Sequence, residues 1–105
     1  IFSGLEFLST QRIQSEWIVW KDLLESGDFN DAEAQPSPGV LKAWWTPSWI
    51  PFTYNGAGDH LCIDMHPSSQ GRKGQIIAVW HDDGKRSIKA DSFAQWFTAF
   101  IQSTY

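Results

Sequence analysis

Five large apolar side chains near the end of the chain, Phe93, Trp96, Phe97, Phe100 and Ile101, fall at i, i+3, i+4, i+7 and i+8. Only a helix gathers that spacing onto one side. The stripe predicts a helix starting near Asp91 or Ser92. At about 150–250 Å² of burial per ring, it is expected to be the largest single contribution to a core. Replacing Trp96 by Ala is expected to cost about 3–5 kcal/mol. An earlier stripe, Ile13, Trp17, Trp20 and Leu24, recurs at intervals of four, three and four. It predicts a helix capped by the hydroxyl of Ser9 or Thr10 and stopped at Gly27.

Between the two helices the pattern changes to strands. Val40 to Trp45, Trp49 to Phe52, His60 to His66, Gln75 to His81 and Arg86 to Lys89 are the candidates. Asp82-Asp83-Gly84-Lys85 separates the last two, and an Asp-Gly pair between strand-like runs signals a hairpin. The stretch from Gly27 to Gly39 reads as a surface loop within one domain, because too few residues precede it to form a core alone. The order is short strand, helix, loop, several strands, helix. That is an α+β class with a largely antiparallel or mixed central sheet flanked by helices.

The 105 residues suit a single domain spanning 1–105. With 42% hydrophobic and 19% charged residues, the chain is outside the disordered class. A lone cysteine, Cys62, excludes an internal disulfide framework and a four-cysteine zinc site. No apolar run approaches about 18 residues, so no membrane span or membrane partner is expected. A net charge of −4 argues against a nucleic-acid partner held by overall charge. The chain opens at Ile1-Phe2 without Met and without a basic leader segment, so no signal peptide is visible.

The densest chemistry lies in Asp59-His60-Leu61-Cys62-Ile63-Asp64-Met65-His66. On a strand, His60, Cys62, Asp64 and His66 share one face, and Leu61, Ile63 and Met65 the other. Two imidazoles, a thiol and a carboxylate are a ligand set that zinc or copper accepts. Residues two apart on a strand are about 6.5–7 Å apart, too far for four in a row to meet one ion. A sheet with one polar and one apolar face explains the run better, and no metal or cofactor is expected. Cys62 with His60, His66 or His81 supplies the residue types for nucleophilic catalysis, as in a small metal- or cysteine-dependent hydrolase. Nothing in the spacing brings them together, and no helix follows Cys62 to lower a thiol pKa. Gly56-Ala57-Gly58 and Gly71-Arg72-Lys73-Gly74 each lead into a strand, which is not the context of a phosphate loop.

Residues 1–52 hold seven acidic side chains (Glu6, Glu16, Asp22, Glu25, Asp28, Asp31, Glu33) against three basic ones (Arg12, Lys21, Lys42). Such a cluster solubilises a surface, and it also attracts a basic partner. Trp44 and Trp45 are adjacent and face opposite ways if they lie on a strand. An exposed Trp is a frequent interface anchor and a platform for sugar rings.

Trp49-Ile50-Pro51-Phe52, Gly56-Ala57-Gly58-Asp59, Leu61-Cys62-Ile63-Asp64, Pro67, Gly71, Gly74-Gln75-Ile76-Ile77 and Ser92-Phe93 with Trp96 follow one another in a distinctive order. In this the chain resembles the SUKH superfamily, named for the Smi/Knr cell-wall-assembly regulators of yeast and their bacterial relatives. The resemblance implies a central sheet flanked by helices and a binding role without catalysis. Bacterial members are thought to be immunity proteins that neutralise secreted polymorphic toxins, often nucleases, and fungal members regulatory scaffolds. Two departures stand out. The leading helical segment of the family is missing before Ile1, and His66 stands before Pro67 where an acidic residue is common. The expected function is a cytoplasmic immunity protein for a basic toxin, with a regulatory scaffold in cell-wall assembly as the alternative. The expected partner-binding residues are Trp44, Trp45, Tyr54, Asp59, Asp64 and His66.

Overall fold

A computed structural model describes residues 6–27, 29, 32–54, 59–80 and 84–104. The opening residues 1–5, Asp28 and Asp31, Gly56-Ala57-Gly58, and His81 with the turn residues Asp82 and Asp83 lie outside them. The elements run β1 (Glu6–Phe7), α1 (Thr10–Glu25), β2 (Gln35–Pro36), β3 (Trp49–Pro51), β4 (Thr53–Tyr54), β5 (His60–Asp64), β6 (Gln75–Val79), β7 (Lys85–Ala90) and α2 (Phe93–Thr104). Five strands form one sheet in the order β2-β7-β6-β5-β3, and β1 pairs with β4 in a small ribbon. Among the described residues only the β2–β7 pair is parallel, so the sheet is mixed and mainly antiparallel, and the class is α+β.

Helix α1 starts where a capping hydroxyl predicts. Ser9 Oγ accepts from the Arg12 amide at 3.2 Å, and Gly27 takes φ +86° just beyond the last turn, a conformation that suits glycine. Ser92 Oγ likewise accepts from the Gln95 amide at 3.1 Å at the head of α2. Strands β6 and β7 are antiparallel neighbours, as the Asp-Gly signal requires, with Ile77 opposite Ile88 and Val79 opposite Arg86.

The sheet is covered on both sides. Alternation along β5 and β6 sends Cys62, Ile77 and Val79 into one cluster with Trp20, Val40, Trp45 and Trp49. It sends Leu61, Ile63 and Ile76 into another with Phe52 and Trp96. Helix α1 supplies Trp17, Trp20 and Leu24 to the first cluster, and α2 supplies Trp96 and Phe100 to the second. All five residues of β6 are buried because both of its faces are occupied.

Four expectations change. Val40 to Trp45 forms no strand; Val40 and Trp45 instead plug the α1-side core from a bent segment. The loop from Gly27 to Gly39 contains β2, held by Gln35 N–H to Gly84 O (2.7 Å) and Ser37 N–H to Arg86 O (2.8 Å). Strand β5 ends at Asp64, two residues before His66. The α2 stripe is only partly core: Trp96 is buried, while Phe93, Phe97 and Ile101 are 42%, 40% and 38% exposed. The tryptophans on the α1 side form the larger core, because five aromatic positions from α1 and the 44–49 segment converge there.

Candidate functional site

The polar side of β5 is its inner side. His60, Cys62 and Asp64 are buried, whereas Leu61 and Ile63 on the opposite face are only half-buried. Burying polar groups costs free energy unless hydrogen bonds compensate, and here the neighbouring strands supply them. Asp64 Oδ2 accepts from Gln75 Nε2 at 2.8 Å, and Asp64 Oδ1 accepts from the His66 amide at 3.0 Å. Gln75 Nε2 also donates to Gly39 O, and its Oε1 accepts from the Arg72 amide. Gly71 sits so close to the Gly39 carbonyl that a Cβ there would collide with it. The basic loop Gly71-Arg72-Lys73-Gly74 is therefore tied to the core by its backbone, with Arg72 and Lys73 in solvent.

Two strands away, Arg86 is fully buried. Its Nε and Nη2 both donate to Trp44 O, at 3.0 and 2.7 Å, and Nη1 donates to Lys85 O at 2.8 Å. The guanidinium lies 4.7 Å from the centre of the Trp44 ring. This fork ties the 40–49 segment to β7, so that Trp45 can stack against Trp20 at 6.2 Å.

At the other end of β5 the same face opens into a pocket of about 360 Å³, lined by Glu16, Val19, Trp20, Leu23, Phe29, Tyr54 and His60. The pocket is built from two short-range patterns. Glu16, Val19, Trp20 and Leu23 stand at i, i+3, i+4 and i+7 on α1, and Tyr54 and His60 come from β4 and β5. Tyr54 lies over His60 with ring centres 5.5 Å apart, and Trp20 meets His60 edge-on at 6.0 Å. His60 Nδ1 is 2.7 Å from Thr53 O, so this nitrogen carries the proton, since a carbonyl can only accept. Its Nε2 faces Glu16 Oε1 at 3.6 Å. Burial holds the His60 pKa below its ordinary value, opposed by the Thr53 carbonyl and the Glu16 and Asp59 carboxylates.

The six residues expected to meet a partner divide sharply. Asp64 and Trp45 are 0% and 2% exposed, so both lie inside the fold. Trp44, Tyr54 and Asp59 are half-buried, and His66 is exposed. Tyr54 alone of the six lines the pocket. Glu16, Val19, Leu23 and Phe29 were missed. The signal for three of them is a second α1 stripe beside the Ile13-Trp17-Trp20-Leu24 stripe, sharing Trp20 with it.

Cys62 is 1% exposed, and burial pushes its thiol pKa up, so it lacks the access and the thiolate that a nucleophile needs. Among the described residues no three His, Cys, Asp or Glu side chains gather closely enough to hold a metal ion. Among the same residues no helix is long and apolar enough to cross a membrane.

Comparison with known proteins places these features in a family. A glucan synthesis regulatory protein of Neurospora crassa is 31% identical over 67 residues, covering 64% of this chain and 13% of that protein. The cell wall biosynthesis/cell cycle regulator smi1 of Schizosaccharomyces pombe is 26% identical over 108 residues, covering 91% of this chain and 21% of that protein. The cell wall assembly regulator SMI1 of Saccharomyces cerevisiae is 27% identical over 70 residues, covering 67% of this chain and 14% of that protein. The chain thus matches about one fifth or less of the length of these relatives. The model of one family matches residues 1–99, and the chain belongs to that family, SMI1 / KNR4 (SUKH-1).

Proposed function

We propose that residues 1–105 act as one protein-binding module of regulatory type, which docks a partner in the α1–β4–β5 pocket and carries out no chemistry of its own. The observation that carries this reading is the pocket itself. It is preformed and walled by aromatic and aliphatic side chains, and among the described residues its ionisable acid and base at the polar corner are Glu16 and His60. Such a cavity holds and orients a ligand. Tyr54 and Asp59 extend the contact on one side, and Trp44 and His66 are further contacts on the surface. The names of these three fungal relatives, each a regulator of wall or glucan synthesis, support regulation in cell-wall assembly over toxin neutralisation. A cytoplasmic setting suits the free, reduced Cys62.

The immunity reading retains one supporting observation, the net charge of −4, which would speed association with a basic toxin. It predicts a tight, salt-sensitive complex with a toxin encoded beside this chain.

A domain exchange tests the regulatory reading. The matching segment of the S. cerevisiae regulator is replaced by this chain, and growth is scored under cell-wall stress in cells lacking the native protein. The chimaera is expected to restore growth, and the same chimaera with Leu23→Asp is expected to fail at equal abundance. Failure of the unmodified chimaera, or full growth with Leu23→Asp, overturns the reading.

A further inference from the structure

The polar corner of the pocket has an unusual composition. His60 gives its only proton to Thr53 O, so in the neutral ring Nε2 presents a lone pair. That lone pair faces the Glu16 carboxylate at 3.6 Å. Two acceptors therefore converge at the corner of the cavity, and among the described residues neither receives a hydrogen bond of ordinary length. The other Glu16 oxygen is 3.7 Å from Arg12 Nη2, longer than a well-formed charge-assisted hydrogen bond of about 2.7–2.9 Å. Arg12 is also drawn toward Glu6, at 3.8 Å. The carboxylate is thus held by one loose contact, to Arg12, and remains open to a stronger one.

The walls specify the rest of the ligand. Trp20, Phe29 and Tyr54 offer ring faces and edges, and Val19 and Leu23 offer aliphatic surface, 52% and 36% exposed. Ring faces attract cations, most of all planar ones. The described residues already use this chemistry with planar cations, Arg86 lying 4.7 Å from the Trp44 ring centre and Arg12 5.8 Å from that of Tyr54, beside one ammonium, Lys21, 5.7 Å from that of Trp17. The charged groups that act on His60 are Glu16 and Asp59 against Arg12, a net negative surround. A ligand matching these walls is aliphatic along its stem, planar and cationic at its tip, and able to donate to two acceptors at once. Lysine has the charge but lacks the planar fork.

We infer that the pocket receives an arginine side chain of the partner polypeptide, its guanidinium lying among the aromatic walls and donating to both Glu16 and His60. This rests on the reading of the pocket as the docking site and names what enters it. Arg12 is then an internal competitor for Glu16, which moves toward Glu6 when the partner's arginine arrives.

Small probes isolate the chemistry from any partner. Butylguanidinium, its neutral isostere butylurea, and butylammonium are titrated at pH 7.5 while the indole N–H resonance of Trp20 is followed by NMR. Butylguanidinium is expected to shift that resonance saturably and to bind about tenfold or more tightly than butylurea, because its hydrogen bonds are charge-assisted. Butylammonium is expected to bind more weakly than butylguanidinium. Glu16→Gln is expected to abolish the preference for butylguanidinium over butylurea without weakening butylurea. Arg12→Met, which keeps the aliphatic stem, is expected to tighten butylguanidinium severalfold and leave butylurea unchanged. Equal binding of butylurea, a preference for butylammonium, or indifference to both substitutions overturns the inference. A chimaera sensitive to Leu23→Asp, together with no guanidinium preference, rejects the arginine and keeps the docking site. Guanidinium preference with a failed chimaera rejects the regulatory reading and keeps the pocket chemistry.

Discussion

The two faces of the sheet bury opposite kinds of residue. On the α1 side, His60, Asp64, Gln75 and Arg86 are buried among tryptophans, each fastened by hydrogen bonds that run between strands or to the 40–49 segment. On the α2 side the contacts are almost entirely apolar, yet Phe93, Phe97 and Ile101 stay substantially in water. Apolar packing tolerates sliding because it is non-directional. Hydrogen bonds have direction, and a misplaced buried donor is costly. The α1 face is therefore the precise one, and the pocket is built on it. Its acceptors sit at fixed positions because Thr53 O orients His60 and the α1 register orients Glu16.

Urea unfolding of single variants sharpens the contrast, beginning with the largest effect. On the α2 side Trp96 is the buried ring of the helix stripe and packs against Phe52, and Trp96→Ala should lower stability by about 3–5 kcal/mol. On the α1 side, Arg86→Met should cost about 3 kcal/mol despite adding apolar volume, because two carbonyls lose charge-assisted donors. A neutral or stabilising outcome would mean that the polar row is incidental. Asp64→Ala should cost about 2–3 kcal/mol by leaving the His66 amide and one of the two Gln75 Nε2 hydrogens without an acceptor. Phe97→Ser, on the exposed part of the α2 stripe, should change stability by no more than about 0.5 kcal/mol. A large loss there would mean that the stripe is covered in solution.

The comparison also carries a pH dependence. Burial depresses the His60 pKa from 6.5, so the unfolded chain takes up a proton before the folded one does. The stability that neutral His60 contributes is complete above that ordinary value. It declines as pH falls through it toward the lower folded value. The urea midpoint of the native protein should therefore drop more between pH 7.5 and 5.5 than that of His60→Gln. Parallel slopes in the two proteins would show that His60 takes up its proton equally in both states.

Much of this architecture is legible from short-range pattern. Ser9, Gly27 and Ser92 mark helix boundaries through local capping chemistry, and the Asp-Gly pair marks β6 and β7 as neighbours. The alternation in β5 correctly sorts His60, Cys62 and Asp64 onto one face. What alternation lacks is the sign, because period two says which residues share a face and never which face is inside. Here the choice is made by donors far away in sequence: Gln75 is 11 residues from Asp64, and Arg86 is 42 from Trp44. For the same reason Asp64 reads as a surface, partner-binding residue in the sequence and is a core residue in the fold. Glu16 was passed over because a lone acid on a helix ordinarily faces solvent, and only the arrival of β5 places His60 against it.

The central claim is that the polar face of β5 lies inside the protein, and Cys62 is its natural reporter. It is the single cysteine of the chain and sits between His60 and Asp64 on that face. Labelling of the native protein with a thiol-reactive disulfide reagent at neutral pH should be slow. Its rate should rise with urea in step with global unfolding. Stoichiometric labelling within seconds in the absence of urea would place that face in solvent and contradict the account.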